Sequence, residues 1–443
     1  MGLIARTFAL LLALTLVCSV FGEDEPQSEK DAKKKPAAKK QVQQKRPQKK
    51  KAAKKRTPSK KIEKEAAEKK KEAEQRKAAE EQKEAEEKKA SDEKAAEAAK
   101  EAAEKKAAEA EAKRAAQKQA EKLKFTATDL TEVDEDFAFQ GEYMGSVSPD
   151  PLDAPRAGLQ VVALGDGQFE ANLLRGGLPG AGWDRRMKEK LTGKRENNQL
   201  ILTNEHWRVV VSPRSANLQQ PDQESWGTIP KYHRISRTQD ASPQDGATVL
   251  FDGSDTSHFQ NGELTKDGLL SVGAITKQAV HDFQMHVEFR TPYMPNARGQ
   301  ARANSGIYVQ QRYEVQILDS FGLEGAENEC GGLYKQKRPD VNMCLPPLSW
   351  QTYDITFTAC RWDADGKKLS DAQITVLHNG EPIHSHYPLK DKTGGGKAEG
   401  PEDFPILFQN HGNPVVFRNI WISTWGPGSS ETVFGTPVGW NDE

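Results

Sequence analysis

Only four cysteines occur in 443 residues, and one of them, Cys18, lies in an apolar leader. That scarcity excludes a disulfide-dense scaffold, and the lack of any CxxC or HxxxH spacing excludes the usual zinc ligand sets. No apolar run outside the leader approaches the roughly 20 residues that a membrane-spanning helix needs. The stretch 62–124 has neither proline nor glycine, and Ile62 and Leu123 are its only large aliphatic residues, which removes the a and d positions of an ordinary coiled coil. The basic stretch before it lacks the interleaved aromatics on which nucleic-acid bases stack. The glycine-rich Leu174–Asp184 has no Gly-Lys-Ser/Thr, so tight turns near Trp183 fit it better than a phosphate loop.

Among what is present, the leader comes first. Arg6 supplies a basic start, Phe8–Val17 an apolar core too short to span a bilayer, and Val20-Phe21-Gly22 a cleavage site. Cleavage after Gly22 and export to the periplasm, cell surface or extracellular space are expected. Lipid attachment at Cys18 is disfavoured because Val17 stands where a small residue is wanted.

The formal net charge of −1 conceals three differently charged regions. Lys30–Lys61 carries sixteen Lys or Arg and one acid, Ile62–Lys124 carries eighteen of each sign, and the remainder from Phe125 carries twenty-nine basic and forty-two acidic residues. The arm (23–61) has too few apolar residues to fold and is expected to be disordered. It suits an anionic cell-envelope polymer or a plain solubilising role. Its composition and the leader argue against nucleic acid. Residues 62–124 are nearly all Ala, Glu and Lys, with Glu65–Lys69, Glu84–Lys88 and Glu101–Lys105 at helical spacing, which predicts a lone charged helix roughly 95 Å long.

Residues 125–237 read as a small β-rich domain, because Phe139–Val147, Leu159–Leu174 and Asn198–Ser212 form short strand patterns between Gly, Asp and Asn turns. A polar linker (238–247), a large domain (248–426) and a tail (427–443) follow. In the large domain, Phe283–Arg290, Thr352–Thr358 and Gln373–His378 alternate apolar and polar residues, and Asn379-Gly380 marks a hairpin. Many short strands without a helical stretch predict an antiparallel sandwich in a mostly β chain. Cys330 and Cys344 close a short loop where an exported protein can form a disulfide contributing roughly 3 kcal/mol, whereas Cys360 reads as a buried strand thiol.

Within Asn304–Ser320, Tyr313, Val315 and Ile317 alternate with Glu314 and Gln316, so an acid and an amide share one face of a strand, with Asp319 shortly after. This stretch, with Thr248–Gly253, Pro405–Gly412 (PILFQNHG) and Val415–Ile422 (VVFRNIWI), resembles the bacterial 3-keto-disaccharide hydrolase family over about residues 248–422. The resemblance implies a concanavalin-like jelly roll that binds carbohydrate on a concave face. It implies Glu314, Gln316, Asp319, Gln409, His411, Gly412, Arg418 and Asn419 as site candidates. Asn410 departs from the pattern, in which Asp is frequent.

A ketone at C3 acidifies the C2 proton of a sugar, so cleavage at C1 needs one base, one enolate stabiliser and one acid. His411, Arg418 and Glu314 can fill these roles, with Asn304, Gln316, Asp319, Tyr334, Gln409 and Asn419 binding substrate. Trp350 or Tyr353 can stack on a ring. The plainer roles are an ion pair of Glu314 with Arg290 or Arg312, a buried structural Arg418, and His411 in a loop. No cofactor motif is evident, and a divalent metal remains open. A non-catalytic glycan-binding or cell-envelope module is the alternative to an enzyme.

Overall fold

A stretch of mostly Ala, Glu and Lys without proline or glycine forms one helix, α1 (Lys60–Leu123). The computed structural model describes residues 60–147, 155–222 and 225–426. The expected leader, the basic arm up to residue 59 and the tail at 427–443 lie outside them. Ion pairs on the helix include Lys77–Glu81 at 3.9 Å and Lys83–Glu87 at 3.8 Å, with the lysine first. Such exposed pairs contribute little, so the helix rests mainly on propensity. Among the described residues, no helix is long and apolar enough to cross a membrane.

The β-rich segment closes on itself. Strands β1 (Gly141–Ser146), β2 (Arg156–Ala163), β3 (Gln168–Arg175), β4 (Lys188–Glu196), β5 (Gln199–Thr203), β6 (Arg208–Val211), β7 (Ser215–Gln219) and β8 (Ser225–Tyr232) pair in sequence, and β8 returns to β1. Alternate residues fill the interior, among them Tyr143, Leu159, Phe169, Leu173, Leu191, Leu202, Val209, Leu218 and Ile229. Closure removes the sheet edges. At Gly193 a Cβ would lie 1.9 Å from the Ile201 carbonyl, so only glycine lets β4 approach β5 there.

Beyond residue 247 the chain forms two larger antiparallel sheets. Their strands are β9 (Thr248–Phe251), β10 (Phe259–Gln260), β11 (Leu270–Ser271), β12 (Ile275–Thr276), β13 (Asp282–Arg290), β14 (Ser305–Val309), β15 (Tyr313–Ile317), β16 (Trp350–Thr358), β19 (Ala372–His378), β20 (Glu381–Leu389), β21 (Leu407–Phe408) and β22 (Val416–Trp425); β17 (Arg361–Trp362) and β18 (Lys368–Ser370) form a separate ribbon. The five-stranded sheet has the order β10-β12-β21-β14-β15, and the seven-stranded sheet β11-β22-β13-β16-β19-β20 with β9 beside β22. Phe283, Met285, Val287, Ile307, Val315, Ile317, Ile355, Phe357, Phe408 and Phe417 belong to one apolar core shared by both. Asn379 and Gly380, at φ 54° and 77°, make the expected hairpin turn.

The connection from the barrel is docked. Thr238 Oγ1 donates to Asp354 Oδ2 at 2.7 Å, the Asp240 amide to Glu288 Oε1 at 2.5 Å, and the Trp421 indole to the Ala241 carbonyl at 3.2 Å. The start of the expected linker is therefore a strap across the outer face of the seven-stranded sheet.

Candidate functional site

Strands β14 and β15 form a hairpin in which Tyr308 stands opposite Glu314 and Gly306 opposite Gln316. Opposed residues share a face, so these four lie together while Ile307, Val309, Val315 and Ile317 enter the core. On the other side of β14, Leu407 pairs with Tyr308, and the Gln409 amide donates to the Gly306 carbonyl at 2.8 Å. The polar face thus runs over three neighbouring strands. Gly306 makes its room, since a Cβ there would lie 2.5 Å from Glu314 Oε1.

Glu314 is 3% exposed. Its Oε2 accepts from the Tyr308 hydroxyl at 2.8 Å, and Oε1 accepts from the Gln316 amide nitrogen at 3.0 Å when that nitrogen is turned toward it. Among the described residues no lysine or arginine forms an ion pair with this carboxylate. Arg312 instead bonds the Ala398 carbonyl and Gln310, and Arg290 the Thr128 carbonyl, so the ion pair considered from sequence is not made. Burial pushes the Glu314 carboxyl up to about 7, against the opposing hydrogen bond from Tyr308. A carboxyl in that range exchanges a proton near neutral pH.

Amides surround this pair. Asn304 Nδ2 donates to the Gln300 carbonyl at 2.9 Å, and Gln300 Nε2 to the Asn328 carbonyl at 2.7 Å. The Asn304 amide N–H donates to Asn413 at 2.7 Å and Ser305 Oγ to the Gln409 carbonyl at 2.8 Å, tying the 409–413 loop to the hairpin. Gln409 Oε1 is buried without a partner. Tyr334 is half-buried and close enough to Tyr308 to act on its phenol electrostatically. His411 is exposed in the same loop, and its ring makes no hydrogen bond among the described residues.

The structure thus groups Glu314, Gln316, Asn304, Gln409 and Tyr334, with His411 in the adjoining loop. It places three candidates elsewhere. Asp319 lies beyond the end of β15 and is a buried partner of Arg302 at 2.7 Å, lining a cavity of about 130 Å³ with barrel residues Val162 and Asn172. Arg418 and Asn419 belong to β22 in the other sheet, and the apolar core separates them from Glu314. Arg418 Nε donates to Glu288 Oε2 at 2.7 Å and Nη2 to Asp240 at 3.0 Å, and the guanidinium lies 4.2 Å from the Trp350 ring centroid. Asn419 donates to Glu288 and to the Ala241 carbonyl. Both hold the strap. Tyr353 is a core residue, and Trp350 sits between Arg290 and Arg418.

Cys330 and Cys344, the pair expected to form a disulfide, lie side by side and interact through their sulfurs. Both are buried free thiols with polar neighbours, Cys330 Sγ lying 3.2 Å from the Tyr353 hydroxyl and Cys344 Sγ 3.6 Å from the Leu318 carbonyl. Cys360 is buried as expected, 3.3 Å from the Tyr313 hydroxyl. Among the described residues, no group of three or more His, Cys, Asp or Glu is placed to hold a metal. Tyr308 and Gln300 were missed from sequence. The Gln310-Gln311 turn, with both residues at positive φ, could have paired Tyr308 with Glu314, but nothing marked Gln300.

Residues 246–423 match the model of the 3-keto-alpha-glucoside-1,2-lyase-like domain, and this part of the chain belongs to that family. A solved structure from Parabacteroides distasonis, provisionally described as a glycosyl hydrolase, is 34% identical and covers 40% of this chain and 84% of its own, with a TM-score of 0.38. A second one from the same organism, described in the same way, is 21% identical and covers 41% and 95%, with a TM-score of 0.30. No curated protein matches the chain.

Proposed function

We propose that residues 248–426 form a jelly-roll domain that cleaves 3-keto-glycosides, with Glu314 removing the C2 proton. The observation that carries this reading is a buried, cation-free carboxyl at about 7 on the polar face of a domain of this family. Glu314 takes the C2 proton while the electron pair passes to the C3 oxygen. On collapse of this enolate the C1–O bond breaks, and the departing oxygen takes a proton, a role we assign to His411 in the adjoining loop. Water then adds at C1 or the unsaturated ketone leaves. Amide groups of Gln409 and Asn304 serve the C3 oxygen and the hydroxyls, a role moved from Arg418, and Tyr308 orients the base.

A carboxyl tuned to neutral pH favours an enzyme over a passive glycan-binding module. The proposal includes export through the leader and attachment of the basic arm to an anionic envelope polymer. Incubating the protein with a 3-keto-disaccharide and with its unoxidised parent tests the chemistry. Only the ketone should be cleaved, and Glu314→Gln should abolish most of that turnover. Efficient cleavage of the unoxidised sugar would instead indicate a two-carboxylate glycosidase.

A further inference from the structure

A second polar cavity lies at one end of the barrel, where Gln140, Gly141, Glu142 and Lys231 meet the Pro346–Ser349 segment. Its volume is about 230 Å³. Its walls include Phe137, Pro346, Pro347 and Leu348, and its rim includes Leu130 and His233, both exposed. An apolar wall with a few polar groups is the usual make-up of a small-molecule site.

The polar groups are unevenly matched. Arg234 and Glu142 line the cavity but satisfy each other, with Nε donating to Oε2 at 2.6 Å and Nη2 to Oε1 at 2.5 Å. Lys231 has no such partner. Its Nζ donates to the Ala138 carbonyl at 2.7 Å and lies 5.6 Å from the Tyr143 ring centroid, and no carboxylate pairs with it among the described residues. Gln140 is 3% exposed; its oxygen accepts from the Ala163 amide, while its Nε2 is buried without a partner. One donor, a cation without a counter-charge among the described residues, therefore borders a cavity with apolar walls, and the Gln140 amide nitrogen is buried behind the wall. A half-buried ammonium without an anion loses hydration that one carbonyl and a ring face replace only in part, and burial lowers the Lys231 amine to about 8.

We infer that this barrel-end cavity binds a small monocarboxylate with an apolar tail, the carboxylate pairing with Lys231 and the tail lying against Pro346, Pro347 and Leu348. The site stands apart from the proposed cleavage chemistry and needs no part of it. The other titratable groups at the cavity are the paired Glu142 and Arg234, Tyr232 and the exposed His233, and Tyr143 lies under the Lys231 amine. Only Lys231 among them is an unpaired cation that discharges through the range just above neutrality.

The test uses the full chain with hexanoate and, as a neutral match, hexanamide. Saturable binding of hexanoate at pH 7, followed by calorimetry, and at least tenfold weaker binding of hexanamide are expected. Hexanoate affinity should fall at least tenfold between pH 7 and pH 10, as the amine loses its proton. Lys231→Met should weaken hexanoate at least tenfold. Hexanoate should also protect Lys231 from acylation by an amine-reactive ester, read by peptide mass spectrometry on the unmodified protein. Equal binding of acid and amide, no binding of hexanoate, an unchanged affinity at pH 10, or no protection of Lys231 would each overturn the inference. All four of these readouts use the unmodified protein, so a folding failure in Lys231→Met leaves the test intact.

Discussion

Two buried glutamates, each on the polar side of its sheet, one on a central strand and one on an edge strand, meet opposite fates in this molecule. Glu288 on β13 is surrounded by donors: Arg418, Asn419, the Asp240 amide, and His286 at 3.6 Å. Burial raises its carboxyl, but these partners outweigh it and hold the group at about 2. His286 is the counterpart. Burial lowers it, yet Asp354 at 2.6 Å and Glu288 hold it up to about 9. Glu314 on β15 has a phenol and an amide but, among the described residues, no cation, so burial wins and the carboxyl rises to about 7. Burial alone therefore does not mark a reactive acid. The partner set separates an ionic latch from a group able to exchange protons at neutral pH.

The comparison is broken most readily by activity. Glu314→Gln should lower turnover of a 3-keto-disaccharide by roughly 10²–10⁴, the size of a general acid–base contribution, and His411→Ala should act in the same direction near the lower bound. Steady-state kinetics on folded variants check both. Unchanged rates in Glu314→Gln would make the face a binding surface.

On the latch side, Glu288→Gln should leave turnover by the folded fraction intact but cost about 3–5 kcal/mol of stability, because His286 and Arg418 lose their shared anion. Urea unfolding measures this, and amide exchange at residues 236–241 should accelerate with it. Arg418→Lys should cost less, about 1–2 kcal/mol, since one ammonium replaces a fork that bonds two carboxylates and stacks on Trp350. A large fall in kcat for Arg418→Lys without a loss of stability would return that residue to the site.

The two glutamates should also impose opposite pH dependences. Glu314 has a folded value above its ordinary 4.5, so its charge destabilises the fold; the penalty is absent below about 4.5 and complete above about 7. Glu314→Gln should therefore stabilise the protein at pH 8, by on the order of 1–3 kcal/mol, and not at pH 4.5. His286, raised above 6.5, stabilises fully below 6.5 and loses this as pH passes about 9. Glu288, lowered below 4.5, stabilises fully above 4.5 and loses this as pH falls through about 2. Thermal unfolding of the two glutamine variants across pH resolves the signs.

Much of this arrangement was legible in the sequence, and the gaps have physical causes. Alternation in Phe283–Arg290 and Tyr313–Ile317 correctly separated core from polar faces. It could not say which sheet each strand joins, so it gave no sign that the core lies between Glu314 and Arg418, a candidate taken from the resemblance. Barrel closure was hidden for a related reason: β4 (KEKLTGKRE) buries only Leu191 fully, so its pattern barely alternates, and the β8–β1 pairing joins segments some 90 residues apart. Asp319 is a site candidate by the resemblance and follows Gln316 closely. The strand ends at Ile317, however, and Asp319 turns to Arg302.

The most direct test of the central claim is the pH dependence of kcat/KM for a 3-keto-disaccharide. Activity that requires ionised Glu314 should rise through an acid limb near pH 7, and Glu314→Gln should remove that limb together with most of the rate. An acid limb near 4.5, or a limb near 7 that survives in Glu314→Gln, would contradict the assignment of Glu314 as the base.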